Sequence, residues 1–279
     1  MQVSIVIPNY NGLENLKNNL PKVTTAINHF SGSAELILID DASSDASIEF
    51  SVDFCQKTKN CQLISNPENL GFAESCNIGV KRAEGEIVVL LNSDVYPDEN
   101  FLAPIVKHFE NEQVFAVGCL EKVLDDKNEV IEERGVGELF FKDGIFQHHA
   151  GDLDSSMTDW VCGGSGAYRR DIFLELGGFD PQFKPFYWED IDLSYQAKQK
   201  GYQLIFEKNS VVFHKHLKGA IMTHFSHAEI NKISFANQIK FTKKHVSGII
   251  PRLQLYIFLL KTSLKTMIEP INRIKDQIE

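Results

Sequence analysis

The sequence predicts an α/β fold: a mostly parallel central sheet flanked by helices, followed by a C-terminal helical extension. Three observations carry this. Between residue 3 and about 118, short β-branched runs alternate with amphipathic helical stretches. The runs are continuous in apolar character, as strands covered on both faces require. The alternation then stops at about residue 119.

The elements follow in order. "VSIVI" precedes a helical stretch at 13–30, "ELILI" (35–39) one at 45–58, and "CQLIS" (61–65) one at 72–83. "EIVVLL" (86–91) precedes 98–110, and "VFAVG" (114–118) closes the series. Residues 119–160 are polar and Gly-containing, which predicts hairpins and loops, and 162–216 mixes Gly clusters, aromatics and carboxylates. In parallel sheets ligands collect beyond the C-terminal strand ends, and Asn9, Asp40, Asp41 and Asp94 all lie just past such ends.

Composition narrows the function. The chain has 279 residues and a formal net charge of −10, the wrong sign for a general nucleic-acid binder. Cysteines at 55, 61, 76, 119 and 162 form an odd set without a C-x-x-C pair, so neither a disulfide framework nor a zinc knuckle is expected, and a reducing compartment fits. "MQVSIVIPNYNG" reads as a first strand rather than a signal peptide, and no apolar run reaches the roughly 18 residues of a membrane span.

Several strand ends carry chemistry. "IVIPNYNG" (5–12) ends in Pro, Asn and Gly, which any strand-to-helix turn can contain. In "LIDDASSD" (38–45) two adjacent acids repel unless a donor or cation lies between them, while Asp45 suits a helix cap. "NPENLGFAESCNIG" (66–79) places Gly71 at a helix start, where free N–H groups and about half a positive charge can face an anion. "LLNSD" (90–94) sets Asp94 at the same edge, a cation ligand or a turn residue. In "FYWEDID", Glu189 and Asp190 follow two aromatics, a setting that suits a general base, whereas Asp192 suits a helix cap. "VVFHKH" (211–216) puts His214 and His216 on one strand face.

Taken in order, "IVIPNYNG", "LIDDASSD", "NLGFAESCNIG", "GEIVVLLNSD", "GGFDPQFKPFYWEDIDL" and "VVFHKH" resemble the inverting nucleotide-sugar glycosyltransferases of family two, with the GT-A fold. The similarity spans roughly 3–216 and is closest to bacterial rhamnosyltransferase-like enzymes of surface polysaccharides. It implies a glycosyltransferase domain over 1–216, with a nucleotide-binding half (1–118) and an acceptor and catalytic half (119–216), and a basic helical extension over 217–279. By that resemblance Pro8, Asn9, Asp40 and Asp41 hold the nucleotide, with Asn69, Gly71, Asn77 and Ser93 near it and its phosphates. Asp94 matches the last acid of a D-x-D motif that binds Mn²⁺ or Mg²⁺, His214 a histidine that completes the metal site, and Asp190 the catalytic base, with Glu189 as its substitute. The first acid of D-x-D is Asn92 here. The implied donor is a UDP- or dTDP-sugar, the implied acceptor a saccharide or lipid-linked saccharide, and the implied location cytoplasmic, with room for peripheral contact at the inner face of the plasma membrane.

The C-terminal segment stands apart. No acid lies between Glu229 and Glu269, while Lys232, Lys240, Lys243, Lys244, Arg252, Lys261 and Lys265 do. Two readings are open: an interfacial helix on an anionic membrane over 240–268, or helices packed on the catalytic domain or a second subunit of a homodimer. Among rival functions, a sugar nucleotidylyltransferase needs a G-x-G-T-R-type loop after the first strand and a dinucleotide oxidoreductase needs G-x-G-x-x-G; "IPNYNG" is neither. A non-catalytic nucleotide-sugar-binding protein on the same fold is the rival of another class, opposed by Asp94, Glu189 and Asp190.

Overall fold

The computed structural model describes residues 1–215 and 225–275, with side chains through 262. His216 and the proposed boundary at 216/217 lie outside the described residues. The parallel series begins with β1 (Gln2–Asn9), α1 (Leu13–His29), β2 (Ser33–Asp40), α2 (Ser47–Lys57), β3 (Cys61–Ser65), α3 (Phe72–Arg82) and β4 (Ile87–Leu91). After it come a short β5 (Val95–Pro97), α4 (Leu102–His108) and a long β6 (Val114–Leu124). The segment expected to form hairpins supplies β7 (Val130–Arg134), β8 (Gly137–Lys142) and β9 (Ile145–Ala150). The rest is β10 (Ser165–Arg169), α5 (Arg170–Glu175), α6 (Glu189–Gln199), β11 (Gln203–His214), α7 (His227–His245) and α8 (Ile249–Lys275).

The main sheet runs β3-β2-β1-β4-β10-β6-β11-β5, with β7 on the far end of β6. Strands β3, β2, β1 and β4 are parallel, as are β6 and β11; β10 lies antiparallel between β4 and β6. Continuous apolar character has the expected cause, since side chains alternate between two separate cores. On one face Val3, Ile5 and Ile7 pack with Leu16, Leu20 and Val23 of α1 and Leu102 and Ile105 of α4. On the other, Val6, Val88 and Leu90 pack with Cys76 and Val80 of α3, Phe173 of α5 and Leu193 of α6. Pro8 lacks an N–H, and it falls where β4 no longer pairs with β1, whose shared register ends at Val6 and Leu90.

Two sequence expectations need correction. Cys55 and Cys61 form a disulfide, because the turn from α2 into β3 brings their Cα atoms to 4.9 Å, within ordinary bridging distance. Asp192 is no surface cap: fully buried, it accepts from Lys244 Nζ (2.9 Å) and His245 Nε2 (2.6 Å) and so joins α6 to α7.

Of the two readings of the C-terminal segment, packing on the catalytic domain holds for α7. Ser226 and Glu229 form a capping box at its start. Asn237 Nδ2 donates to the carbonyls of Phe183, Phe186 and Tyr187, and Phe241 joins Phe183, Trp188 and Ile191 in a third apolar cluster. The β8–β9 hairpin turns at Asp143–Gly144, both at positive φ, and lies against α7 through Phe146 N–H to Thr242 Oγ1 (3.1 Å). Because removing Asp192 takes the buried acceptor from His245 and leaves Lys244 with Asp180 alone, Asp192→Ala should destabilise the fold by about 3 kcal/mol, read as a lower urea midpoint with an unchanged slope.

Candidate active site

The ends of β1 and β2 form a closed polar knot. Asn9 Nδ2 reaches Asp40 Oδ1 (3.4 Å) and Ser43 Oγ (3.3 Å), and the Ser43 N–H donates to Asp40 Oδ2 (2.9 Å). Asn9 Oδ1 is buried without a partner, an acceptor held ready for a donor group. Gly12 keeps this spot open, since a Cβ there would meet Asn9 Oδ1 at 2.3 Å and Ser93 Oγ at 3.2 Å.

Two candidates turn inward instead. Both oxygens of Asp41 are taken, accepting from Leu70 N–H, Gly71 N–H and Asn66 Nδ2 at 2.8 Å each. The anion at the start of α3 is therefore one the chain supplies itself. Asn77 is buried and clamps one peptide, donating to the Phe179 carbonyl (2.8 Å) and accepting its N–H (2.9 Å). These two residues set the loops at 66–71 and 177–180 rather than face open solvent, while Asn69 stands exposed on the first of those loops.

Pairing of β5 with β11 sets Val95 opposite His214, which brings Asp94 Oδ2 to 3.3 Å from His214 Nε2. Glu121, opposite Val212 on β6, lies on the same face as His214 and meets its Nδ1 at 2.6 Å. Arg134 Nε from β7 donates to Glu121 Oε1 (3.0 Å), and Ser165 Oγ to Oε2 (3.3 Å). Burial alone would raise the Glu121 carboxyl, yet the His214 hydrogen bond and the Arg134 charge pull it down to about 2. His214 shows the mirror image: burial disfavours its charge, but Asp94 and Glu121 push it up to about 9. The apolar run at 114–118 predicts a strand that stops there, whereas β6 continues to Leu124 and so carries Glu121 into the site, with Arg134 supplied by β7.

One carboxylate oxygen and one imidazole nitrogen converging at this distance fit part of a divalent-cation site, the remaining positions suiting substrate phosphate oxygens and water. Among the described residues no group of three His, Cys, Asp or Glu side chains is arranged to hold a metal by itself.

The Glu189–Asp190 pair opens α6 after Tyr187 and Trp188, both at left-handed φ (70° and 80°), a strained approach that the aromatic packing of Trp188 against His148 and Phe241 holds in place. Asp190 is partly exposed and accepts from Gly163 N–H (3.1 Å). Gly164, next in the chain, accepts from Asn92 N–H (2.9 Å), and a Cβ on Gly164 would strike Asn92 Nδ2 at 2.5 Å. The glycine loop thereby ties the Asn92–Asp94 turn to Asp190. Glu189 is buried, with Oε2 unpartnered. Burial raises both carboxyls, and the charge of Asp190 raises Glu189 further, to about 8. Charge is thus disfavoured on both members of the pair, and Glu189 is the one that lies buried. A cleft of about 590 Å³ between Pro104 and Asn209 shares no residue with this cluster.

The glycosyl transferase family 2 model matches residues 4–177. The chain belongs to this family. A glycosyltransferase of Haemophilus influenzae, uncharacterized, is 37% identical over 92 residues, 33% of this chain and 36% of that protein. The pre-mycofactocin glycosyltransferase of Mycobacterium tuberculosis is 25% identical over 215 residues, 77% of this chain and 43% of that protein. This family member thus spans less than half the length of these two relatives. The crystal structure of GalNAc-T7 with UDP, GalNAc and Mn²⁺ superposes with a TM-score of 0.67 at 19% identity, covering 87% of this chain and 48% of that one. That likeness shows the fold, a GT-A architecture.

Glu189, neutral when folded, loses that state as pH rises. Its folded value of about 8 lies above the ordinary 4.5, so folding is progressively penalised from pH 4.5 up to about 8. Glu189→Gln should therefore gain in Tm relative to the unsubstituted chain as pH is raised through that window; a Tm difference flat with pH would contradict the buried neutral carboxyl.

Proposed function

We propose that this protein transfers a sugar, with inversion, from a nucleotide-diphosphate sugar to a hydroxyl of a saccharide or lipid-linked saccharide. The supporting observation is that one glycine loop fastens Asp190 to the turn bearing Asp94, which faces His214 of β11, so that a candidate base and a candidate cation site share one sheet edge. The family match ends at residue 177, so the roles of Glu189, Asp190 and His214 rest on this geometry and on the motif resemblance.

In this reading the 1–118 half binds the nucleotide. Asn9 offers its free Oδ1 to a donor on the base or ribose, Ser93 lines the same gap, and Asp40 keeps Asn9 oriented. Pro8, Asp41, Gly71 and Asn77 support the walls of that pocket, and exposed Asn69 flanks it. Asp94 and His214 would hold Mn²⁺ or Mg²⁺, which when bound offsets the charge of the diphosphate. Asp190 takes the acceptor hydroxyl proton as that oxygen attacks the anomeric carbon opposite the leaving diphosphate, and in-line displacement inverts the centre. Glu189, protonated, keeps negative charge off the buried side of the pair. The donor is a UDP- or dTDP-sugar, and the rhamnosyltransferase-like resemblance favours cell-surface polysaccharide synthesis in the cytoplasm, with 119–216 shaping the acceptor side and 217–279 a basic, C-terminal helical extension.

Two substitutions separate the roles. Asp190→Asn, which retains an oxygen for Gly163 N–H, should cut turnover by about 10²-fold or more while nucleotide affinity is unchanged; retained turnover would remove Asp190 from the mechanism. Asp94→Ala should abolish the extra thermal stabilisation that Mn²⁺ gives over UDP, dTDP or GDP alone; an undiminished shift would leave Asp94 a turn residue.

A further inference from the structure

Over residues 249–261, helix α8 leaves one face uncovered. Ile249, Ile250, Leu253, Tyr256, Ile257 and Leu260 are all exposed, Ile249 by 87% and Tyr256 by 60%. At 100° per residue these six fall within one stripe of the helix. Its other side is occupied: Leu255 is buried, Phe258 meets Phe235 of α7 (6.3 Å between ring centroids), and a Cβ on Gly144 of the hairpin would strike the Gln254 carbonyl at 2.4 Å. The stripe is thus held outward by packing that the rest of the fold provides.

The charges around it identify what covers it. Arg252 and Lys261 are exposed, and helical geometry sets them on opposite flanks of the stripe. No acid occurs between Glu229 and Glu269, although the chain as a whole carries −10. A two-fold contact between copies through this face would bring like charges together with no carboxylate in the segment to answer them. An anionic bilayer surface answers them: apolar side chains enter the acyl boundary while long cationic side chains stay at the phosphates. Among the described residues no helix is long and apolar enough to cross a membrane, so the contact is one of lying on the surface. We infer that residues 249–261 form an in-plane docking surface for anionic phospholipid. This inference stands independently of the transfer reading.

The full chain is tested by co-sedimentation with vesicles of equimolar phosphatidylglycerol and phosphatidylcholine, against vesicles of phosphatidylcholine alone. Binding should be at least about ten-fold tighter to the anionic vesicles and weaken with added salt. The pair Leu253→Asp and Tyr256→Asp, and separately the pair Arg252→Glu and Lys261→Glu, should each lower binding about ten-fold or more with Tm unchanged. Equal binding to both vesicle types, or undiminished binding by both variants, would overturn the inference. So would a doubled mass in sedimentation equilibrium that the same variants abolish while vesicles are not bound.

Discussion

Everything at this sheet edge depends on a short loop, Cys162–Gly163–Gly164, having no side chains at its two glycines. Gly163 spends its N–H on Asp190 and Gly164 its carbonyl on Asn92. The close approach to Asn92 leaves no room for a Cβ. Two segments separated by nearly a hundred residues, the Asn92–Asp94 turn and the Asp190 carboxylate at the start of α6, are thereby fixed to one short stretch of backbone.

A second constraint is electrostatic. The row Asp94, His214, Glu121, Arg134 alternates acid and base, and the neighbours of His214, Glu121 and Arg134 favour their charged forms against the cost of burial. The orientation of His214 follows: its Nδ1 is committed to Glu121, so Nε2 points toward Asp94. A carboxylate behind a histidine is the arrangement that fixes a ring for ligation.

Much of this was legible in the sequence, and the parts that were not share a cause. Strands β1 to β4 and their helices follow from local periodicity, and the strand-end residues follow from the geometry of parallel sheets. Glu121 escaped notice because it lies in the polar extension of β6, where apolar pattern gives out but pairing with β11 and β7 continues. The inward commitments of Asp41 and Asn77 depend on loops folding back from residues 70 and 179, which spacing alone does not reveal. The same holds for Asp192, whose partners Lys244 and His245 lie in a helix remote in sequence.

The antiparallel course of β10 has a further consequence. Strand β6 delivers the chain to the functional edge and β10, running the other way, starts from that same edge. The excursion between Gly135 and Val161 therefore leaves and rejoins the sheet at nearly one place, like a handle on a cup. Lengthening such a handle costs only slowly growing loop-closure entropy and leaves the strand order untouched. A lineage can remodel what reaches over the edge from that side without renegotiating the foundation beneath it.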